Sequence, residues 1–144
     1  MDLSGVFDDL VRLETDLWNT LDAELRRETG VPLGSLEVLR VVARTDSCRV
    51  GDIAAALSIT IGGASQAVDR LARRELCRRR PHPADRRSTV VELTPAGLGL
   101  TASAGRVFTG ALSSLLADAL PEAEFERLGA ALAALRAAVS AAAR

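Results

Sequence analysis

Two short β-prone runs interrupt a sequence that is otherwise patterned for α-helices. The runs are LCRRR at residues 76–80 and STVVEL at residues 88–93, and the segment between them holds Pro81, Pro83 and Asp85. Two such runs joined by turn-forming residues predict a β-hairpin. Elsewhere apolar residues recur every three or four positions, which predicts helices. The 144-residue chain is 48% hydrophobic but only 3% aromatic, which fits one mainly α domain with a core of Leu, Ala and Val.

A long amphipathic helix is predicted at the start of the chain. From Leu3 to about Thr29 the apolar residues alternate in steps of three and four, and Gly30 ends the pattern. Eight acidic residues lie among the first thirty, against three arginines. Negative charge is therefore concentrated at this end of a chain whose net charge is −1.

Two further long helices are predicted at the other end. Thr94 and Pro95 are a suitable N-cap and first-turn pair for a helix through Ala119, and Pro121 opens the next helix. The first is expected to bury Leu98, Leu100, Val107, Phe108, Leu112, Leu115 and Leu116. The second carries a seam that favours a partner helix, formed by Phe125, Leu128, Leu132, Leu135 and Val139.

Between the long helices the predicted elements are short. Residues 35–44 form one helix, 48–50 a brief strand, 51–58 a second helix, and 62–74 a third. Two short helices separated by a tight turn are a helix-turn-helix candidate, although many proteins pack short helices in this way. Because a hairpin follows directly, the combination predicts a winged helix-turn-helix.

Positive charge gathers in the same segment. Eight of the eighteen basic residues lie between Arg70 and Arg87, and all eighteen are arginine. This clustering indicates an anionic partner. Arg78–Arg80 lie in a predicted strand, where successive side chains face opposite sides, so they cannot all face one DNA strand. Arg86 and Arg87 follow the tip of the turn, where they either reach a DNA backbone or narrow minor groove or stay solvated.

No catalytic or metal-binding set is visible. Cys48 and Cys77 form neither a CxxC motif nor a ligand set with His82, the only histidine, which is interpreted as a turn residue. We therefore expect no enzyme, no metal and no cofactor. No apolar run approaches the ~20 residues of a membrane span, and the N-terminus is acidic, so a cytoplasmic protein is expected. Whether either cysteine senses oxidation stays open.

In the order of its elements and in its residues, nearly the whole chain resembles the MarR family of bacterial transcription regulators. The family's wing pattern is Asp, any residue, Arg, an apolar strand, Leu-Thr and a Gly shortly after. The preceding segment, Val68 to Leu76, matches the family's recognition-helix ending. The wing residues that match are Asp85, Arg87, Val90, Val91, Leu93, Thr94 and Gly97.

The resemblance implies a single domain over residues 1–144. In it a winged helix-turn-helix lobe at residues 33–97 lies between dimerisation helices at 1–30 and 98–144. The helix before the wing would enter the major groove, the Arg87 side chain would reach the minor groove, and Asp85 would hold the Arg87 guanidinium in place.

The resemblance also indicates which side chains of the recognition helix meet DNA. Gly62 and Gly63 replace residues that are often Ser or Thr in the family, and their N–H groups either approach a phosphate or simply begin the helix. Gln66 suits adenine, and each candidate is alternatively a solvated surface residue. The candidates on or beside the helix are Thr60, Ser65, Gln66, Arg70 and Arg73. Arg86 is a further candidate at the wing tip.

Members of the family are homodimers that bind palindromic double-stranded DNA and respond to small aromatic or phenolic effectors. The expected function is therefore a sequence-specific DNA-binding regulator, a repressor released by a ligand, with Trp18, Leu36 and Phe108 as candidate pocket residues. The alternative is a dimeric helical adaptor whose basic wing binds an acidic protein. Operator, target genes, effector identity and the choice between repressor and activator are not written in these residues.

Overall fold

The computed structural model describes all 144 residues as six helices and one two-stranded sheet. The mainly α fold with a hairpin wing is therefore confirmed. The chain divides into two compact units, Met1–Phe108 and Thr109–Arg144. No helix combines the length and the apolar character needed to cross a bilayer. The elements are α1 Leu3–Thr29, α2 Leu33–Arg44, α3 Val50–Leu57, α4 Ile61–Arg73, β1 Cys77–Pro81, β2 Thr89–Leu93, α5 Pro95–Leu116 and α6 Glu122–Ala142.

The first helix begins and ends where the sequence predicts. The Asp2 carboxylate accepts a hydrogen bond from the Gly5 N–H at 2.9 Å, and Gly30 ends α1 in the left-handed conformation with φ of 71°. Within α1, the Asp22 carboxylate accepts from the Leu33 N–H at 2.8 Å. This bond lowers the pKa of Asp22 and ties the start of α2 to α1.

The core of the first unit lies between α2, α3, α4 and the base of the hairpin. It is aliphatic, as the composition predicted, with no buried polar or charged residue. Its members include Val38, Leu39, Val41, Ile53, Ala64, Val68, Leu71 and Val91. This packing leaves the opposite side of α4 free to face solvent.

The strand predicted at residues 48–50 is absent, and that prediction was wrong. Val50 already begins α3, whose first turn is capped by the Asp52 carboxylate accepting from the Arg49 N–H at 2.8 Å. A single backbone bond to the hairpin remains, from the Val91 N–H to the Cys48 carbonyl oxygen at 2.7 Å. The early helix start leaves too few extended residues for a third strand.

The hairpin is fastened to α5 at its base. The Thr94 hydroxyl donates to the Glu75 carbonyl oxygen at 2.6 Å and accepts from the Gly97 N–H at 3.0 Å, so it caps α5 as predicted. The Thr94 N–H donates to the Leu76 carbonyl oxygen at 3.1 Å. A Cβ at position 97 would overlap that oxygen and lie 2.9 Å from the Leu76 carbonyl carbon. Thr94 and Gly97, which carried the family resemblance, therefore position the wing.

Much of the apolar surface of the long helices is uncovered in the single chain. At the start of α1, Leu3, Val6 and Phe7 are exposed, and α6 has no buried residue at all. Of the α6 seam, Phe125 is partly buried, and Leu128, Leu132, Leu135 and Val139 are exposed. These faces are available to a further protein surface.

The predicted buried side of α5 is partly wrong. Leu98 and Leu115 are 56% and 45% exposed, whereas the fully buried residues of α5 are Gly97 and Ala104. The small side chains allow α5 to approach its neighbours closely. The sequence period identified an apolar face but not what covers it.

Candidate nucleic-acid interface

Helix α4 turns one face to the core and the other to solvent. Ala64, Val68 and Leu71 are buried, while Gln66 and Arg70 are exposed, as the amphipathic pattern predicted. Gln66 and Arg70 are therefore accessible to a partner on this face.

Thr60 fixes the start of this helix. Its hydroxyl accepts a hydrogen bond from the Gly63 N–H at 3.0 Å. The suggestion that the Gly63 N–H is available to a phosphate is thus wrong, because the cap occupies it. A side chain at Gly62 would meet nothing within 4 Å, so the approach to the helix start is open.

A guanidinium group from the wing holds α4. Arg79 Nη2 lies 3.2 Å from the Ser65 carbonyl oxygen, 3.0 Å from the Ser65 hydroxyl oxygen and 3.0 Å from an Asp69 carboxylate oxygen. Ser65, predicted to meet DNA, therefore already accepts a hydrogen bond within the protein. The sequence analysis did not predict this role of Arg79. The alternation of side chains along a strand places Arg79 on the face opposite to Arg78 and Arg80, but it does not indicate which face of the hairpin packs against α4.

The other two strand arginines face the opposite side of the hairpin. Arg78 Nε and Arg80 Nε each lie 2.5 Å from one of the two Glu92 carboxylate oxygens. The predicted division of the three strand arginines between two faces is confirmed. The hydrogen bonds from Arg80 and Arg78 lower the pKa of Glu92.

The tip of the wing is an ordered turn. The His82 N–H donates to the Ser88 carbonyl oxygen at 2.8 Å, and His82 Nδ1 accepts from the Ala84 N–H at 3.0 Å. His82 is thus a turn residue, as predicted. An Asp85 carboxylate oxygen accepts from the Arg87 backbone N–H at 3.0 Å. These bonds present Arg86 and Arg87 at the exposed tip.

The role predicted for Asp85 needs a correction. It was expected to orient the Arg87 guanidinium, but its hydrogen bond goes to the Arg87 main chain, and no ion pair joins the two side chains. The reason is local: a carboxylate two residues before an N–H closes an Asx turn around it. Asp85 therefore shapes the turn from which the Arg87 side chain extends.

The arginines of this segment fall into two groups. Those of β1 are all engaged in ion pairs, with Glu92 or with Asp69. The others are exposed and make no ion pair, so their guanidinium groups are free to bind anions. This free group comprises Arg70, Arg73, Arg74, Arg86 and Arg87.

The three candidate pocket residues differ in what they present. Leu36 is completely buried and offers no surface, whereas Trp18 is 42% exposed. Phe108 is half-buried, and the Arg40 guanidinium carbon lies 5.1 Å from the centre of its ring, in cation–π contact. Of the three, only Trp18 and Phe108 can touch a molecule from outside the core.

Both cysteines are buried as free thiols. Burial raises the pKa of the Cys48 thiol to about 11 and also raises the pKa of Cys77. For Cys77, burial outweighs the opposing effect of the nearby Arg79 charge on the pKa. Neither thiol therefore has the low pKa that makes a cysteine reactive.

The Arg79 contacts predict a measurable effect on stability. We expect Arg79→Ala to lower the free energy of unfolding by about 1 kcal/mol, because three solvent-exposed hydrogen bonds that join the wing to α4 are lost. Arg73→Ala, at an exposed arginine without an ion pair, serves as the matched control and should change it by less than about 0.5 kcal/mol. Urea unfolding measures both, and equal effects would show that the Arg79 contacts are not formed.

The lowered pKa of Glu92 predicts a pH-dependent effect. In the unfolded chain this carboxyl protonates near its ordinary value of 4.5, and in the folded chain at lower pH. The ion pairs therefore stabilise the fold fully above about pH 4.5, and this stability is lost as the pH falls through the lowered pKa. Glu92→Gln should lower the melting temperature at pH 7 and should lower it less at pH 3, because the contribution of the ion pairs decreases as the pH falls below about 4.5. The control Glu126→Gln should have no effect at either pH, and a Glu92→Gln effect that is independent of pH would contradict the assignment.

Comparison with known proteins gives a family match for the lobe. Residues 31–89, from the end of α1 to the start of β2, match the sequence model of the MarR family. No curated protein sequence matches the chain.

Solved structures resemble the chain over nearly its full length. AbsC, a MarR family transcriptional regulator from Streptomyces coelicolor, is 19% identical with a TM-score of 0.86, covering 98% of this chain and 97% of that one. Sco3205 from the same organism, solved in complex with DNA, is 24% identical with a TM-score of 0.84, covering 92% and 84%. CouR from Rhodococcus jostii RHA1, bound to p-coumaroyl-CoA, is 20% identical with a TM-score of 0.80, covering 93% and 91%. At these identities the likeness establishes the fold.

Proposed function

We propose that the protein, whose residues 31–89 match the sequence model of the MarR family, is a sequence-specific DNA-binding transcription regulator. It acts as a homodimer on a palindromic operator, and a small aromatic or phenolic effector releases it, which makes it a repressor. It works in the cytoplasm, where it binds DNA and catalyses no reaction.

The observation that carries this proposal is the set of free arginines. Arg70, Arg73 and Arg74 on or beside α4, and Arg86 and Arg87 at the wing tip, are exposed and make no ion pair. Free guanidinium groups bind phosphates and release the counterions that DNA carries. Because the β1 arginines are satisfied within the protein, the uncompensated charge lies on the two elements that a winged helix brings to DNA.

The residues of α4 have different roles in DNA recognition. Gln66 is exposed and suits the N6 and N7 groups of adenine, and Arg70 suits a guanine or a phosphate. Arg73, further along the helix, contacts the backbone. Thr60 and Ser65 contribute chiefly by holding the helix in position, because each already accepts a hydrogen bond within the protein.

The wing supplies a second contact. Arg87 extends from a turn that Asp85 closes, and it reaches the minor groove beside the half-site. Arg86 is next to it on the tip and contacts the phosphate backbone. These contacts position the lobe, while the α4 side chains select the sequence.

A homodimer follows from the uncovered apolar faces of the long helices. One lobe makes few base contacts, whereas two lobes related by a two-fold axis bind half-sites about one helical turn, roughly 34–36 Å, apart. The exposed α6 seam and the exposed start of α1 supply the surface for the second copy.

The dimer predicts the effect of one charge in the α6 seam. Leu132→Asp should convert the dimer to a monomer, because burying a carboxylate in an apolar interface costs several kcal/mol, and operator binding should fall at least about tenfold when half-sites bind separately. Sedimentation velocity and fluorescence anisotropy measure the two effects. Ala130→Asp, on the opposite face of α6, should leave both unchanged, and a wild-type chain that sediments as a monomer would contradict the proposal.

An aromatic anion is the effector class that the exposed aromatic residues favour. Trp18 and Phe108 offer ring surfaces, and Arg40 beside Phe108 offers a positive charge; Leu36 supports the region from within the core. CouR, a similar protein, is bound to p-coumaroyl-CoA. A differential affinity of about 2–3 kcal/mol between the free and DNA-bound proteins suffices to change operator affinity by tens to hundreds of fold.

Selection from a library of random duplexes tests the proposal. The full-length chain should enrich a palindrome whose half-sites lie one helical turn apart. Enrichment of no sequence would contradict it and would favour the adaptor that binds an acidic protein.

A further inference from the structure

The winged-helix lobe exposes only two large hydrophobic side chains. Between residues 31 and 97 these are Ile59 and Ile61, which are 43% and 66% exposed; every other large apolar side chain there is at least partly buried. They stand on either side of Thr60, the cap of α4. The exposed apolar surface of the lobe is therefore confined to the start of the recognition helix.

Most of the Ile61 surface is exposed to solvent. It is the first residue of α4, and the next two residues are Gly62 and Gly63, which have no side chains. Space around Gly62 is open to at least 4 Å. Because Cα–Cβ bonds tilt towards the N-terminus of a helix, the Ile61 side chain projects beyond the start of α4.

Apart from Ile59, the exposed side chains that follow Ile61 along α4 are polar or charged. They are Gln66, Arg70, Arg73 and Asp69, and Asp69 pairs with Arg79. An apolar protein partner would find little matching surface here. The major groove of DNA, in contrast, combines negative phosphates with one apolar group, the 5-methyl of thymine.

We propose that Ile61 is a specificity-determining residue that recognises the 5-methyl group of a thymine in each half-site. This inference rests on the proposed DNA-binding function and deepens it. Recognition helices contact base edges with their N-terminal residues, and Ile61 is the leading side chain of α4. The two glycines after it let the helix start approach the base edges closely enough for this contact.

The test uses the duplex that the full-length chain selects from the random library. Each thymine in turn is replaced by deoxyuridine, which pairs with adenine in the same way but lacks the 5-methyl group. At one symmetric position the wild-type chain should bind about fourfold more weakly per half-site, the factor that corresponds to the roughly 0.8 kcal/mol of one buried methyl-sized group. Replacing both half-sites should weaken binding about 15-fold.

Variants assign the effect to one side chain. Ile61→Ala should bind the thymine and deoxyuridine duplexes equally, and Ile61→Val should keep part of the difference. Ile59→Ala, at the other exposed apolar residue of the lobe and outside α4, is the matched control and should keep all of the difference. Analytical ultracentrifugation of Ile61→Ala checks that the side chain is not a contact between two copies.

The outcomes distinguish failure of this inference from failure of the proposed DNA-binding function. If the wild-type chain selects a sequence but tolerates deoxyuridine at every position, the inference fails and the regulator stands. The inference also fails if Ile61→Ala retains the full difference, or if Ile61→Ala alters only the oligomeric state. If no sequence is selected, both fail.

Discussion

Arg87→Ala is expected to weaken operator binding by about 1–3 kcal/mol per protomer, roughly 5- to 150-fold for each half-site, while the chain keeps its fold and its oligomeric state. The Arg87 side chain extends from the exposed tip and makes no ion pair within the protein. Its removal therefore costs contacts to DNA and none within the fold. Fluorescence anisotropy with the selected duplex measures the loss, and thermal unfolding confirms the fold.

Variants of Asp85 show how the tip is held. The Asp85 carboxylate accepts a hydrogen bond from the Arg87 N–H. Asp85→Asn should therefore preserve the turn through its amide oxygen and bind DNA normally. Asp85→Ala should bind DNA more weakly, by part of the loss that Arg87→Ala causes. Arg136→Ala, at an exposed arginine of α6, is the charge-matched control and should bind normally. Unchanged binding by Arg87→Ala would refute the wing contact, and equal losses in the two Asp85 variants would show that the charge orients the guanidinium.

Gly97→Ala is expected to lower the free energy of unfolding by about 3–5 kcal/mol, near the upper end for a single substitution. The added Cβ would overlap the Leu76 carbonyl oxygen, and backbone at that point cannot move aside. Leu76 is tied there by the Thr94 N–H and opens the hairpin. The clash should therefore loosen the wing as well as the fold, and urea unfolding with hydrogen exchange measures both.

The control for Gly97 lies two residues further along the same helix. Nothing lies within 4 Å of a Cβ at Gly99, so Gly99→Ala should be neutral or stabilise the chain by up to about 1 kcal/mol through helix propensity. Similar stability of the two variants would contradict the close approach of α5 to Leu76.

Local sequence signals were enough to predict most of the elements. The apolar period and Gly30 defined α1, and Thr94 defined the start of α5, because caps and periods act within one or two turns. The hairpin followed from β-prone runs around a turn. The two faces of the strand arginines also followed, since alternation is a property of any extended strand.

The errors concern contacts between elements that are distant in the sequence. No local signal shows that Arg79 meets Ser65 and Asp69, because that pairing depends on how β1 packs against α4. Likewise, an apolar helix face in the sequence does not indicate which element packs against it. For this reason Leu98 was expected to be buried, whereas it is exposed. The turn geometry also determines that the Asp85 carboxylate contacts the backbone N–H of Arg87 and not its guanidinium. The sequence alone does not indicate this.

The most direct test of the central claim is the affinity of the full-length chain for its selected duplex and for a scrambled duplex of equal length, measured from 50 to 200 mM salt. The account predicts that the selected duplex binds at least about 10³-fold more tightly than the scrambled duplex. It also predicts that the affinity for the selected duplex falls roughly 10³-fold or more over this range, because binding of the free arginines releases counterions from DNA and added salt opposes that release. Equal affinities for the two duplexes, or an affinity that does not change with salt, would contradict it.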